Sequence, residues 1–256
     1  TKLMLSCTTL ITLLAVQSVT AADKFFIPSN PQPGASLFVV IHGCLSNAED
    51  IEKTSRFSEF AETHGFYVLY PEPTLTEAKG CYEFYTQDSQ KPGMGEANVI
   101  VNKVQGYLQQ YDIDANKVFV AGMSAGSSII PTLISCYPTV FHGAAMHSGM
   151  GYGLTSTWQE SIWVAQAGPM KTKPRNNFCN VSDYKGKVFL IQGTDDKIMN
   201  PKNFALLKKD YFTGLDITSE RVSATSSVYG YKRSYYSKNN EVRGQALKVY
   251  GMAHDW

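Results

Sequence analysis

Short apolar, β-branched and aromatic runs recur along the chain with polar stretches between them: LFVVIH at 37–42, FYVLY at 66–70, KVFVA at 117–121, GAAMHS at 143–148, KVFLIQ at 187–192 and ALKVY at 246–250. Runs of this length without polar alternation suit strands buried on both faces, so they predict a mostly parallel sheet. Between them the apolar period changes. In GEANVIVNKVQGYLQQY at 95–111, Val101, Val104, Leu108 and Tyr111 fall on one helical face. Strand and helix therefore alternate, which is the pattern of a doubly wound α/β sheet. No internal repeat or low-complexity block interrupts it, and residues 22–256 read as a single domain. The longest departure is 149–186, which is expected either as a small lid insertion over a site or as a surface excursion pinned by Cys179.

Composition narrows the function classes. The chain has 43% apolar and 18% charged residues and a formal net charge of +1, which is ordinary globular composition with no basic field for nucleic acid. Residues 1–21, TKLMLSCTTLITLLAVQSVTA, carry a lysine, a short apolar stretch and small residues at Val19 and Ala21. That is the pattern of a signal peptide. The apolar stretch, broken by Ser6, Thr8, Thr9 and Thr12, is shorter than the ~20 residues a bilayer requires. A secreted protein, extracellular or periplasmic, with no integral membrane span after cleavage is the expectation. Cleavage removes Cys7 and leaves Cys44, Cys81, Cys136 and Cys179, an even number suited to two disulfides in an oxidising compartment. Spacing leaves all three connectivities open. No CxxC pair and no histidine at ligand spacing points to a metal, and no organic cofactor is implied.

The chemistry starts at GMSAG, 122–126, between VFVA and the apolar run SSIIPTLIS. A G-x-S-x-G string between a strand and a helix is a nucleophile elbow: a strained turn presents the serine, and the glycines avoid clashes with neighbouring backbone. Ser124 is the candidate nucleophile. Pro131 sits badly there, because it falls inside the helix the elbow launches and is expected to kink it or end it early. A serine hydroxyl needs a base, and a histidine base needs a carboxylate to fix its tautomer. In this fold the chain order is Ser, then Asp or Glu, then His, each after a strand. KVFLIQ runs into GTDDKIM and ALKVY into GMAH, so Asp195 or Asp196 is the acid and His254 the base. The Gly-x-x-Asp turn favours Asp196. Among the other histidines, His42 is expected to shape a loop, His64 to end a helix and His142 to lie at the surface. His147, closing GAAMHS, is the one rival to His254. Acyl transfer also needs oxyanion donors, for which the backbone N–H groups of Ala125 and of Cys44 in the HGC loop are the candidates.

The stretches VIHGCLSNAEDIE, HGFYVLYPE, GCYEFY, GMGEANVI, YDIDANKVFVAGMSAGSS, YPTVFHGAAMHSGMGYG, IQGTDDKIMNPKN and VYGMAH together resemble the secreted esterases of the polyhydroxybutyrate (PHB) depolymerase family, which has feruloyl and acetylxylan esterase-like members. The resemblance runs from about residue 36 to the end. It implies an α/β-hydrolase fold, a Ser124–Asp196–His254 triad and a Cys44–Cys81 disulfide, with Cys136 and Cys179 left to pair. Three features depart from the family pattern: Tyr82 replaces a usual tryptophan, Ala253 replaces a usual glycine, and the chain stops at Trp256 where the family continues into a last helix, so that helix is expected to be missing.

The expected partner is an ester substrate, polymeric by the same resemblance, cleaved through an acyl-serine intermediate. A polyester of the polyhydroxybutyrate type comes first, and a feruloyl or acetylxylan ester second. A catalytically weak polymer-binding protein is the alternative of another class. Tyr82, Phe84, Tyr85, Tyr152, Trp158 and Trp163 are the aromatic residues from which a substrate rim is expected, with core packing as the competing role.

Overall fold

Alternate residues of one strand, β2 (Ala35–Ile41), enter two different cores. Leu37, Val39 and Ile41 face the larger core, while Phe38 and Val40 face the smaller. This is the period-2 geometry of a strand covered on both faces. In the computed structural model, which describes residues 22–74, 80–170, 174–223 and 229–256, β2 belongs to a nine-stranded sheet. The expected signal peptide lies outside the described residues.

The other strands, in chain order, are β1 (Lys24–Phe26), β3 (Tyr67–Tyr70), β4 (Ile113–Met123), β5 (Gly143–His147), β6 (Lys187–Gly193), β7 (Asp216–Val222), β8 (Tyr231–Lys238) and β9 (Glu241–Val249). They are arranged β1-β3-β2-β4-β5-β6-β9-β8-β7. Strands β3, β2, β4, β5, β6 and β9 run parallel, and β1, β7 and β8 add antiparallel edges. These edge strands were not expected from the apolar runs. The reason is physical: β7, DITSERV, is exposed at every position, so no buried face marks it in the sequence.

Helices α1 (Ala48–Ser55) and α2 (Phe57–His64) pack on β2 and β3 over the smaller core, around Val40, Val68 and Tyr70. On the other face α3 (Gly95–Gln110), α4 (Ala125–Cys136) and α6 (Pro201–Phe212) close the larger one. Local signals set several ends. The Asn47 side chain caps α1 by accepting from Asp50 N–H at 2.9 Å, and Gly65, at φ 70°, ends α2 directly after His64. The helix α4 does not end early at Pro131 but continues past it to Cys136. Proline removes one helical hydrogen bond, at a cost of roughly 3 kcal/mol. Residues 125–135 are buried throughout, and that packing holds the helix together across the missing bond.

The described parts of 149–186 do not stand apart from the domain. Gly149 to Leu154 are buried, α5 (Trp158–Ala167) packs against α6, and a Cys136–Cys179 disulfide ties the segment to the end of α4. A second disulfide joins Cys44 to Cys81. His142, expected at the surface, is half-buried with its Nδ1 enclosed, because β5 begins directly after it and its N–H pairs with Val118 O. The mostly parallel sheet, covered by helices on both faces, is the α/β-hydrolase arrangement. The candidate residues Cys44, Ser124, Asp196 and His254 follow the C-terminal ends of β2, β4, β6 and β9.

Candidate active site

Ser124 sits between β4 and α4 with φ 57° and ψ −119°, a conformation that costs a non-glycine residue energy. The surrounding backbone maintains it. Ser124 N–H donates to His147 O at 3.0 Å, and Ser124 O accepts from Ser128 N–H at 2.9 Å and from the Ser128 hydroxyl at 2.8 Å. The glycines of GMSAG have separate steric reasons. A Cβ at Gly122 would lie 2.6 Å from Gly126 O, and one at Gly126 would collide with the carbonyl oxygens of Ile41 and His42. The helix can therefore start only where two backbones touch, and the serine is left facing outward.

Asp196 follows β6 and is 7% exposed. Its Oδ1 accepts the N–H groups of Ile198 at 2.9 Å and Met199 at 2.7 Å. Its Oδ2 accepts from Gln192 Nε2 at 3.0 Å and lies 2.9 Å from His254 Nδ1. Burial works to raise this carboxyl, but the His254 ring and the Met199 N–H outweigh it and hold Asp196 at about 2. The neighbouring Asp195 is exposed and accepts from Thr194 Oγ1 at 3.0 Å. The turn that carries His254 is tied to the same loop, through Thr194 N–H to Val249 O at 2.9 Å, Asp195 N–H to Met252 O at 3.1 Å and Gly251 N–H to Thr194 Oγ1 at 2.8 Å. Gly193 permits that approach, since a side chain there would meet Met252 O. With Nδ1 engaged by Asp196, the Nε2 edge of His254 is left for the cavity that His254 shares with Ser124.

That cavity, of about 420 Å³, brings Ser124, Ala125, Cys44 and His254 to one wall system. Its remaining walls are mainly apolar: Leu45, Phe84, Met150, Trp158, Ile162 and Met199 contribute. Three apolar residues at its mouth face solvent, Leu45 at 85% exposure, Ile198 at 54% and Ile162 at 41%. Of the aromatic residues expected in a substrate rim, Trp158 and Phe84 border this cavity. Tyr82 is fully buried with its hydroxyl donating to Pro71 O. Tyr152 is buried with its hydroxyl donating to Gln90 O at 2.8 Å, and Tyr85 is buried edge-on to Trp158. These are core positions, and at Tyr82 and Tyr152 the phenol group finds a backbone acceptor. Trp163 is half-exposed but outside the cavity. Leu45, Ile162 and Ile198 were missed, because an isolated aliphatic residue in a loop or short helix carries no periodic signal.

His147, the rival base, ends β5, is 4% exposed and has its ring 5.9 Å from that of Trp256. Burial, and secondarily the neighbouring His254, push it down to about 4, so it stays neutral near pH 7. Among the described residues no group of His, Cys, Asp and Glu has the arrangement of a metal site, and no helix is long and apolar enough to cross a membrane.

Comparison with known proteins supplies the family. The poly(3-hydroxyalkanoate) depolymerase C of Paucimonas lemoignei is 28% identical over 237 residues, covering 89% of this chain and 56% of that protein. The probable acetylxylan esterase A of Aspergillus clavatus is 31% identical over 244 residues, covering 90% and 77%. The chain thus spans little more than half the length of the depolymerase. Among solved structures, the acetyl xylan esterase from Aspergillus awamori superposes with a TM-score of 0.76 at 20% identity, over 91% of this chain and 88% of that one, which shows a shared fold. The sequence model described as esterase PHB depolymerase matches residues 24–206. That match runs from β1 through the Ser124 turn to the loop that holds Asp196, and with it the chain belongs to the PHB depolymerase esterase family.

Proposed function

We propose that the chain is a secreted serine esterase that cleaves carboxylic esters through an acyl-serine intermediate, with Ser124, Asp196 and His254 as its triad. Residues 1–21 are read as the export signal and 22–256 as the catalytic domain. The observation that carries the proposal is the Asp196–His254 pair opening, together with Ser124, onto one apolar cavity. In the reaction, Ser124 Oγ attacks the ester carbonyl carbon while His254 Nε2 takes its proton. The resulting oxyanion is held by the N–H groups of Cys44 and Ala125, a donor of this kind contributing about 2.7–4 kcal/mol. Collapse breaks the bond to the alcohol oxygen, which leaves with the proton from His254. Water then attacks the acyl-serine, gives its proton to the same histidine, and releases the acid with Ser124 restored.

The substrate read from the cavity is a polyester of the polyhydroxybutyrate type. Apolar walls and exposed aliphatic residues at the mouth suit hydrocarbon acyl units on an insoluble surface better than a hydroxyl-rich sugar. The relatives named acetylxylan esterase keep a plant polysaccharide ester as the second reading. Hydrolysis of polyhydroxybutyrate film, methyl ferulate and acetylated xylan by the wild type and Ser124→Ala separates the two. Film hydrolysis lost in Ser124→Ala is the expected result. Turnover of xylan or ferulate without film would favour the second reading. Binding to film with no product, unchanged by Ser124→Ala, would point to a polymer-binding protein.

A further inference from the structure

The loop carrying the proposed oxyanion donor rests on a buried histidine–carboxylate pair. His42 is fully buried and its Nδ1 lies 2.7 Å from Gly43 O. A carbonyl oxygen can only accept, so Nδ1 carries a proton. Its Nε2, enclosed and without a hydrogen bond of its own, lies 3.3 Å from Glu72 Oε2, a contact that is attractive only with a proton between the two atoms. Glu72 is 6% exposed, and its Oε1 accepts the Ala48 N–H at 2.5 Å. The residue is fixed from its backbone as well: Glu72 N–H donates to Asp23 Oδ1 at 2.7 Å, and Lys103 Nζ donates to Glu72 O at 2.8 Å. The preceding carbonyl, Pro71 O, accepts the Tyr82 hydroxyl, next to the Cys44–Cys81 disulfide.

Gly43 O and Cys44 N–H belong to one peptide unit. A donor on the oxygen side of that peptide draws electron density toward the oxygen and makes the N–H a stronger donor on the other side. The peptide starts beside the nucleophile, since a Cβ on Gly43 would lie 3.2 Å from Ser124 Cβ, and Cys44 lines the same cavity as Ser124. We propose that Glu72 is a positioning residue of the active site. Through His42 it orients and polarises the Gly43–Cys44 peptide, so that the Cys44 N–H meets the charge developing on the ester oxygen. This rests on the esterase reading of Cys44. It adds a role for a carboxylate that touches neither substrate nor triad.

The test uses the full chain with p-nitrophenyl butyrate as probe. An interaction made only in the transition state lowers kcat and leaves KM alone. Glu72→Ala is expected to lower kcat roughly 10–100-fold with KM within about twofold, a part of what losing a whole donor costs. Glu72→Gln keeps an acceptor for Ala48 and can offer an N–H to His42 Nε2, so it is expected to recover much of that loss. A folded Glu72→Ala variant with wild-type kcat, or with only KM changed, overturns the proposal. A second measurement needs no turnover: ¹⁵N NMR of the histidine-labelled protein, with the His42 signals identified by their loss in His42→Gln. A protonated Nδ1 in the wild type, kept in Glu72→Gln while the Nε2 signal changes, is expected, and a bare Nδ1 overturns the proposal. If Glu72→Ala does not fold, the Gln variant and the NMR decide. If the wild type hydrolyses no ester, the esterase reading fails and the catalytic part of the proposal with it, whereas a bare Nδ1 in an active wild type overturns the positioning role alone.

Discussion

Asp196 divides its two oxygens between backbone and base: Oδ1 is held by the N–H groups of Ile198 and Met199, and Oδ2 lies 2.9 Å from His254 Nδ1. The carboxylate is thereby fixed before it meets the histidine, and with its pKa held at about 2 it stays charged at neutral pH. Replacing it by asparagine preserves the shape but offers His254 the wrong tautomer. Asp196→Asn is expected to lower kcat about 10⁴-fold on a soluble p-nitrophenyl ester. Steady-state kinetics at pH 7 checks this, and a loss below tenfold would remove Asp196 from the proposed triad.

His147 makes the fold sensitive to acid. In the folded protein it is neutral down to about pH 4, whereas in the unfolded chain it takes up a proton below ~6.5. The unfolded state therefore binds the extra proton as pH falls between these values, and stability drops across that window by about 3 kcal/mol. Asp196 works at lower pH: its contribution is present above ~3.9 and is lost as pH falls toward about 2. Urea unfolding of the wild type and His147→Gln at pH 7 and pH 5 tests the first window. The difference between the two pH values should shrink in the variant, and an equal difference in both proteins would refute it.

Two glycines should respond to alanine with opposite signs. Gly126→Ala drives a methyl group into the Ile41 and His42 carbonyls and is expected to cost on the order of 3 kcal/mol. Gly106, in α3, has nothing within 4 Å of its virtual Cβ, so Gly106→Ala should stabilise by up to about 1 kcal/mol through helix propensity. Thermal unfolding of both variants gives the comparison. A harmless Gly126→Ala would mean that the elbow is not as tightly packed as described.

The exposed mouth of the cavity should matter more for a surface than for a soluble molecule. Covering one aliphatic side chain is worth about 1.5–3 kcal/mol, so Ile162→Ser with Ile198→Ser is expected to reduce polyhydroxybutyrate film hydrolysis at least about tenfold. Hydrolysis of p-nitrophenyl acetate, which cannot span the mouth, should fall much less. Equal losses on both substrates would mean that the two isoleucines support the cavity instead of contacting polymer.

The residues that determine local geometry were legible in the sequence. GMSAG between a β-branched run and an apolar run predicts an elbow, because strand length, glycine freedom and helix period are local properties. The order of Ser124, Asp196 and His254 followed from the same runs, and the central parallel strands did so because burial on both faces leaves an unbroken apolar signature. The fully exposed β7 was illegible for the converse reason. Tertiary structure alone decided what depends on distance between segments. Tyr82 and Tyr152 became core residues instead of rim residues because Pro71 O and Gln90 O, far from them in the chain, accept their hydroxyls. The Gly-x-x-Asp turn already favours Asp196 over its exposed neighbour Asp195, but the 2.9 Å approach of His254 to it depends on Thr194 and Asp195 binding the stretch from Val249 to Met252. Glu72 reaches His42 only because β3 lies beside β2. Periodicity records which side of an element is buried, while the partner on that side is set by how the elements pack.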